Sequence, residues 1–400
     1  MQVLVLNCGG SSIKYQLIGT EDEQVVSRGA VENIGSAQAL LRHYRGQSQL
    51  VVQRELPVTD YATGLAQILQ ILLDPVHGVV ENYSGITGVG HRVVHAGEEF
   101  RDSVLVDSRV MDALSRCIQL APLHNPANIA GIKACQQLMP ETPQVAVFDN
   151  AFHRDIPDYV YTYGLPYEYY AKYGVRRYGF HGISFAYMAS RAAELLGVKL
   201  KDKRVVLLML GSGCTANALA YGKSLDVSTG FTPNEGLIQS TRSGDVDAAA
   251  ISFIMRKEGL TPEKIDDILY RRSGWLGISG LSKDLREVEQ AALQGNKRAR
   301  LAIDAFAYRA KKYVGAYAAA MGGLDLLVFA GGVGENSSLI RQEICKGLEF
   351  LGIRLDSEQN ATVKGEGLIS EDSAATPVLV VNTNEELVIA RETVAVLKRC

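Results

Sequence analysis

The chain contains no CxxC pair. Its six cysteines (Cys8, Cys117, Cys135, Cys214, Cys345 and Cys400) are scattered, which argues against a zinc site or a disulfide framework and fits a reducing cytoplasm. It has no surplus of positive charge: 41 Lys and Arg stand against 44 Asp and Glu, a net charge of −3. A broad basic surface for nucleic acid or an anionic membrane is therefore not expected. No apolar run reaches the ~18 residues of a membrane span. No basic leader or cleavage site is visible at the start, where Met1–Leu6 opens directly in a strand-like run. No low-complexity linker divides the chain, and no G-x-x-x-x-G-K-[ST] loop occurs in it, which removes the P-loop nucleotidases. What is present is 47% hydrophobic and 21% charged over 400 residues. That is a globular composition too long for one ordinary core, so two domains are expected.

Two stretches open in the same way. Val3–Leu6, N-C-G-G-S-S and Ile13–Ile18 read as strand, glycine-rich turn, strand. Val205–Leu210, G-S-G-C-T and Ala216–Tyr221 repeat that plan and suggest two related halves. Helical periodicity runs over Tyr61–Asp74, Val110–Leu120, His181–Leu196, Lys297–Met321 and Ser338–Leu351. Asn125-Pro126 reads as N-cap and N1 of a helix to about Met139, Thr261-Pro262 starts another, and Asn384 caps a last one. Gln144–Phe148, Leu326–Ala330 and Val378–Val381 are buried-strand runs. Such strand–loop–helix units imply α/β layers with sites at the carboxyl ends of strands. Asp22–Gln53 is polar and weakly periodic, and reads as a variable lobe.

Three segments place a cation or an imidazole beside glycines. They are G-H-R-V-V-H-A-G-E with Arg92, R-R-Y-G-F-H-G with His181, and T-G-F-T-P-N-E-G-L-I-Q-S-T-R-S-G-D with Arg242. Glycine lets backbone approach a ligand closely. The three donors suit a phosphoryl group in transfer, whose catalysis is mostly positioning and electrostatic stabilisation. The turn from Asn7 to Lys14 offers backbone N–H groups, Ser12 and a cation, and reads as a phosphate cradle or as a plain hairpin turn. Gly211-x-Gly213 matches part of a dinucleotide fingerprint, but that reading needs a following helix and the sequence here is strand-like. His91-x-x-x-His95 has zinc spacing only on a helix; on a strand the rings stand about 13 Å apart. Asp149 and Glu385 could hold Mg²⁺ at strand ends, or Glu385 could simply compensate a helix dipole. Gly331–Ser337 is an anion site at a helix start or a tight βα turn.

In order along the chain, L-N-C-G-x-S-S, G-H-R-V-V-H, L-A-P-L-H-N-P, V-F-D-x-A-F-H, R-R-Y-G-F-H-G, G-F-T-P-x-E-G-L…T-R-S-G-D, G-x-G-E-N-S and T-N-E-E-L resemble the acetokinase family of acetate and propionate kinases. The resemblance covers nearly the whole chain. It implies an α/β fold of two actin-like (ribonuclease H-like) domains around a central cleft. The expected N-terminal domain is 1–150 completed by 385–400, and the C-terminal nucleotide-binding domain is 151–384. It implies a cytoplasmic homodimer that reversibly moves the γ-phosphoryl of ATP to acetate, with Mg²⁺ or Mn²⁺ as cofactor; the alternatives are propionate as acceptor or another donor such as pyrophosphate. Its partners would be a short-chain carboxylate and a nucleotide, with neither nucleic acid nor membrane.

By the same resemblance Arg92, Asp149, His181 and Arg242 carry catalysis. Val94, Leu123, His124, Phe180 and Pro233 form the acceptor pocket. Asn7 and Glu385, with Asp149, position the metal. Ser12, Lys14, Gly211, Ser212 and Gly213 face the phosphates. Asp284, Leu285 and Arg286, with Gly332, Val333, Gly334 and Asn336, hold the adenosine. The chain departs from the family at Gly10 (usually Ser), at Met209 and Ser212 (usually His and Asn of H-L-G-N-G) and at Leu285 (usually Phe). All fall on the donor side.

Overall fold

The computed structural model describes residues 2–122 and 124–399. Two compact units divide the chain: one takes the residues up to Phe152 together with those from Asn384 onward, the other His153–Thr383.

The first unit holds an eight-stranded sheet. Its strands are β1 (Gln2–Gly9), β2 (Ser12–Gly19), β3 (Val25–Glu32), β4 (Ser36–Arg45), β5 (Gln49–Val58), β6 (Gly88–Val93), β7 (Val104–Leu105) and β8 (Gln144–Phe148), in the order 5-4-3-2-1-6-8-7. The second unit holds β9 (Arg204–Leu210), β10 (Cys214–Ala220), β11 (Lys223–Val227), β12 (Leu326–Ala330), β13 (Gly367–Leu368) and β14 (Val378–Val380), in the order 11-10-9-12-14-13. The central plan is the same in both. An antiparallel meander, β1-β2-β3 or β9-β10-β11, is followed by two strands parallel to its first, β6 and β8 or β12 and β14. The α/β fold and the two hairpin-led halves expected from the sequence are thus observed.

Packing explains why these elements hold. The helix Asn125–Leu138 places Ala134 and Cys135 on a core with Leu4, Leu6, Ile13 and Leu69. The helix Lys297–Met321 buries Phe306 and Val314 against Val206, Leu208 and Phe329. Each buried Leu, Ile or Phe contributes about 1.5–3 kcal/mol, several times the spread of intrinsic helix propensity among ordinary residues. Tertiary burial therefore decides where these helices lie.

Four local expectations are corrected. Residues 22–53, which read as a weakly periodic lobe, are built into the sheet: they supply the interior strands β3 and β4 and the start of the edge strand β5. Asn125 is not the N-cap, which falls at His124. The Asn125 amide instead donates to the carbonyls of His95 and Leu114, two buried acceptors brought from elsewhere in the chain. The Gly331–Asn336 segment is neither loop nor tight turn but a short helix of its own. The helix from Ser338 ends at Cys345, before a separate turn at Glu349–Leu351. Conversely, Cys214–Ala220 is a strand, which removes the dinucleotide reading of Gly211-x-Gly213.

Candidate active site

In the first unit, Asn7, Arg92 and Asp149 stand at the carboxyl ends of the parallel strands β1, β6 and β8, as the register Leu6 to His91 and Val93 to Phe148 requires. Asp149 Oδ2 accepts from Arg92 Nη2 at 2.8 Å and from Nε at 3.1 Å. Glu385 opens the C-terminal helix, and its Oε2 lies 3.2 Å from Arg92 Nη1. Burial works against the charge on Arg92, but Asp149 and then Glu385 outweigh it and push its pKa up. Beside them Glu386 is shifted up, chiefly by burial. Lys14 is exposed and faces Asn7 across the β1–β2 hairpin, whose two-residue turn is Gly10-Ser11 between Gly9 and Ser12. The Tyr61 hydroxyl donates to the Gly9 carbonyl and pins that turn.

Two carboxylates and one amide are hard oxygen donors, the set Mg²⁺ takes together with water and substrate phosphates. Among the described residues no three His, Cys, Asp or Glu side chains gather to hold a metal alone. The zinc reading of His91 and His95 fails as expected. His91 Nε2 donates to Gln144 Oε1 at 2.7 Å, while His95 Nδ1 accepts from the Gly97 backbone at 2.9 Å.

Val94 is half-buried next to this cluster in sequence, and its N–H donates to Asn128 Oδ1 at 3.2 Å. His124 is half-buried at the start of the helix from Asn125. Leu123 lies outside the described residues.

In the second unit, His181 is the N-cap of the helix Gly182–Leu196 and has φ 60°, a conformation unusual for a side-chain-bearing residue. Such strain is found where a function fixes it. Its Nδ1 lies 2.9 Å from Thr215 Oγ1. A Cβ on Gly213 would lie 3.2 Å from the His181 ring, so glycine there lets the ring stand against the loop 211–213. Behind it, His153 Nε2 donates to the Phe180 carbonyl at 3.0 Å, and its Nδ1 lies 2.9 Å from Ser224 Oγ. Burial drives the His153 pKa down to about 4, so the ring is neutral. Phe180 itself is buried.

Arg242 contrasts with Arg92. Its Nη1 donates to Gln239 Oε1 at 3.2 Å and, at 3.5 Å, to the carbonyl of Pro233. Among the described residues no carboxylate pairs with it. Burial lowers its pKa, an effect offset in part by Tyr270 and Cys214. A cation so placed is suited to an arriving anion.

A cavity of about 730 Å³ opens in the same unit and is lined by Gly211, Ser212, Asp284, Leu285, Arg286, Gly332, Val333 and Asn336, eight of the residues expected to meet the nucleotide. Its size lies within the range of small-molecule sites. Gly334 faces inward, packing on Phe329 and Leu210. Asp284 caps the helix Leu285–Leu293 and is held by Arg286. Four lining residues were missed: Trp275, Lys283, Glu289 and Ser337. Trp275 is the only tryptophan in the chain and is buried, with Nε1 donating to the Lys283 carbonyl at 2.9 Å; its rarity was the available signal. Glu289 accepts from the Ser337 hydroxyl. Of the four departures, Leu285 lies on the cavity wall and the other three also have places. Gly10 lies in the exposed hairpin turn. Ser212 Oγ meets Ser240 Oγ at 2.8 Å. The Met209 sulfur fills the space that a side chain on Gly331 would need.

The sequence model of the acetokinase family matches residues 2–391. An acetate kinase of Caldanaerobacter subterraneus subsp. tengcongensis is 50% identical over 400 residues, covering 100% of this chain and 99% of its own. The crystal structure of Porphyromonas gingivalis acetate kinase superposes with a TM-score of 0.94 at 46% identity, covering 99% of both chains. That of a propionate kinase from Francisella tularensis gives 0.91 at 39% identity, covering 98% of this chain and 99% of the other. Whole-length identity at this level, together with the hairpin-led sheets and the donor-lined cavity, means that the chain belongs to the acetokinase family.

Proposed function

We propose that this protein is an acetate kinase, which transfers the γ-phosphoryl of ATP to acetate and reverses the reaction with acetyl phosphate and ADP. A carboxylate oxygen of acetate forms the new bond to the γ-phosphorus. The bond from that phosphorus to the β,γ-bridging oxygen breaks, and ADP leaves with the oxygen. No general base is needed, because a short-chain carboxylate is already ionised at pH 7. The observation that carries this reading is Arg242: a half-buried guanidinium with neutral acceptors only, in the same unit as His181 and a nucleoside-sized cavity.

In this reading Arg242 and His181 donate to the transferring phosphoryl, where charge spreads over equatorial oxygens. Arg92 orients the acetate carboxylate, with Val94, Phe180 and Pro233 at its methyl end and His124 in support. Asp149, Glu385 and Asn7 would hold Mg²⁺, which neutralises charge on the β- and γ-phosphates when bound. Asp284, Arg286, Gly332, Val333 and Asn336 receive adenosine, and the open cavity favours a nucleotide donor over pyrophosphate.

We also propose a cytoplasmic homodimer. The five described cysteines are free and buried, as suits a reducing compartment, and no helix among the described residues is long and apolar enough to cross a membrane. The helix Ala248–Glu258 reads AAAISFIMRKE, yet none of its residues is buried. An apolar helix left uncovered is a surface for association. Its acidic N-cap, Asp247, and its basic end, Arg256 and Lys257, are complementary in an antiparallel pair.

The deciding experiment is hydroxamate trapping of acyl phosphate with acetate, propionate and butyrate against ATP, GTP and pyrophosphate. Acetate with ATP should give the highest kcat/KM. No hydroxamate with any pair would sink the kinase reading.

A further inference from the structure

Gln239 precedes Arg242 by three residues and is fully buried. It carries no charge and belongs to no glycine turn, and the sequence does not mark it out. Its amide makes three bonds. Oε1 accepts from Arg242 Nη1 at 3.2 Å and from the Cys214 backbone N–H at 3.3 Å. Nε2 donates to the Pro233 carbonyl at 2.7 Å. Its backbone closes the same turn, with N–H donating to the Arg242 carbonyl at 3.1 Å and its carbonyl accepting from Trp275 N–H at 3.0 Å. A side chain on Gly213 would meet the His181 ring at 3.2 Å and Gln239 Oε1 at 3.6 Å. One residue therefore lies against the guanidinium and the glycine loop through its amide, and against a wall residue of the cavity through its backbone.

The choice of an amide has a physical reason. The donors at Arg242 and Cys214 need an oxygen, and the Pro233 carbonyl needs an N–H; only glutamine or a protonated acid supplies both from one planar group. An ionised carboxylate would place an oxygen against the Pro233 carbonyl. It would also pair with Arg242 and offset the charge meant for the phosphoryl. We propose that Gln239 is a positioning residue for phosphoryl transfer, whose amide aims Arg242 at the Gly211–Gly213 loop and His181 while leaving its charge uncompensated. This rests on the kinase reading above.

The test is steady-state kinetics with acetate and Mg-ATP on wild type, Gln239→Met, Gln239→Glu, Arg242→Ala and the Gln239→Met/Arg242→Ala double variant, each checked for fold by circular dichroism. Gln239→Met should lower kcat on the order of 10²-fold, the cost of a small misplacement, with KM for ATP changed far less. In the Arg242→Ala background the same change should cost less than about threefold, because Gln239 acts through Arg242. Gln239→Glu should lower kcat at about pH 7.5 at least as far as Gln239→Met, because the ionised carboxylate pairs with Arg242 and masks its charge. If Gln239→Met fails to fold, the near-isosteric Gln239→Glu decides through its kcat relative to wild type. A kcat for Gln239→Met within about threefold of wild type, additive losses in the double variant or a Gln239→Glu kcat equal to wild type would each overturn the proposal. An inactive wild type would overturn the kinase reading and this one with it, whereas an active wild type with an indifferent Gln239→Met overturns this one alone.

Discussion

Gly90 lets Thr393 press against the backbone of β6: a Cβ at position 90 would lie 2.3 Å from Thr393 Oγ1 and 2.7 Å from Ile389 Cγ2. The helix carrying those residues begins at Glu385, which pairs with Arg92 two residues further along the strand. Gly90→Ala should therefore destabilise by about 1–3 kcal/mol, the usual cost of overpacking, and loosen the Arg92–Glu385 pair. Urea unfolding measures the first and KM for acetate the second. Gly332→Ala is the control: beyond its chain neighbours and its own helix backbone nothing lies within 4 Å of its Cβ position, and it is helical, so stability should hold or rise. An unchanged urea midpoint for Gly90→Ala would contradict the close packing.

Arg242→Ala should lower turnover by roughly 10³-fold or more, in line with arginines that stabilise phosphoryl transfer. Circular dichroism should report an intact fold. Turnover within a few-fold of wild type would remove Arg242 from the mechanism.

Acetate should be preferred over propionate, because the resemblance puts a smaller residue than Val94 in propionate-preferring relatives. One methylene of misfit gives discrimination on the order of 10–200-fold at most. Val94→Ala should narrow the gap by raising kcat/KM for propionate. An unchanged ratio would mean that Val94 does not touch the alkyl end.

Gly10 and Ser212 replace side chains that the family usually aims at the phosphates, and Ser212 is engaged with Ser240 at 2.8 Å. Each missing charge-assisted bond is worth about 1.5–3 kcal/mol if nothing replaces it. Gly10→Ser with Ser212→Asn should lower KM for ATP and leave KM for acetate alone. If KM for ATP does not move, the loops reach the phosphates through backbone N–H groups.

Three buried histidines set an acid limit. Burial holds His91 and His153 down to about 4, and lowers His43 as well. Each folded-state pKa lies below the unfolded value, so between about pH 6.5 and 4 the unfolded chain binds more protons and stability falls with pH. The slope approaches about 1.4 kcal/mol per pH unit for each fully neutral ring. Urea unfolding at pH 7.5, 6.5 and 5.5 (rounded, about one unit apart) should show declining stability, and His153→Asn should flatten the decline. A stability curve level across that range would refute it.

Local chemistry was readable from the chain. Thr261 caps the helix it was expected to cap, as does Asn384, because a cap needs only a backbone N–H two or three residues away. The strand–turn–strand openings were legible for a similar reason, since glycine and hydroxyl residues punctuate apolar runs. The ordered motifs identified the acetokinase family, and with it the two α/β units. Tertiary structure decided the rest. Asn125 looked like a cap until His95 and Leu114 offered its amide buried carbonyls. The strands of residues 25–58 were not legible, because polar and charged residues interrupt their apolar positions, and only pairing with sheet neighbours brings Val31, Ala39 and Leu41 onto the core. Arg92 meets Asp149, 57 residues away, only because parallel pairing of β6 and β8 brings their ends together. Periodicity and capping act within a few residues, whereas a guanidinium's partners, or an amide such as that of Gln239 placed between a loop and an arginine, depend on strand register and on which buried polar groups must be satisfied.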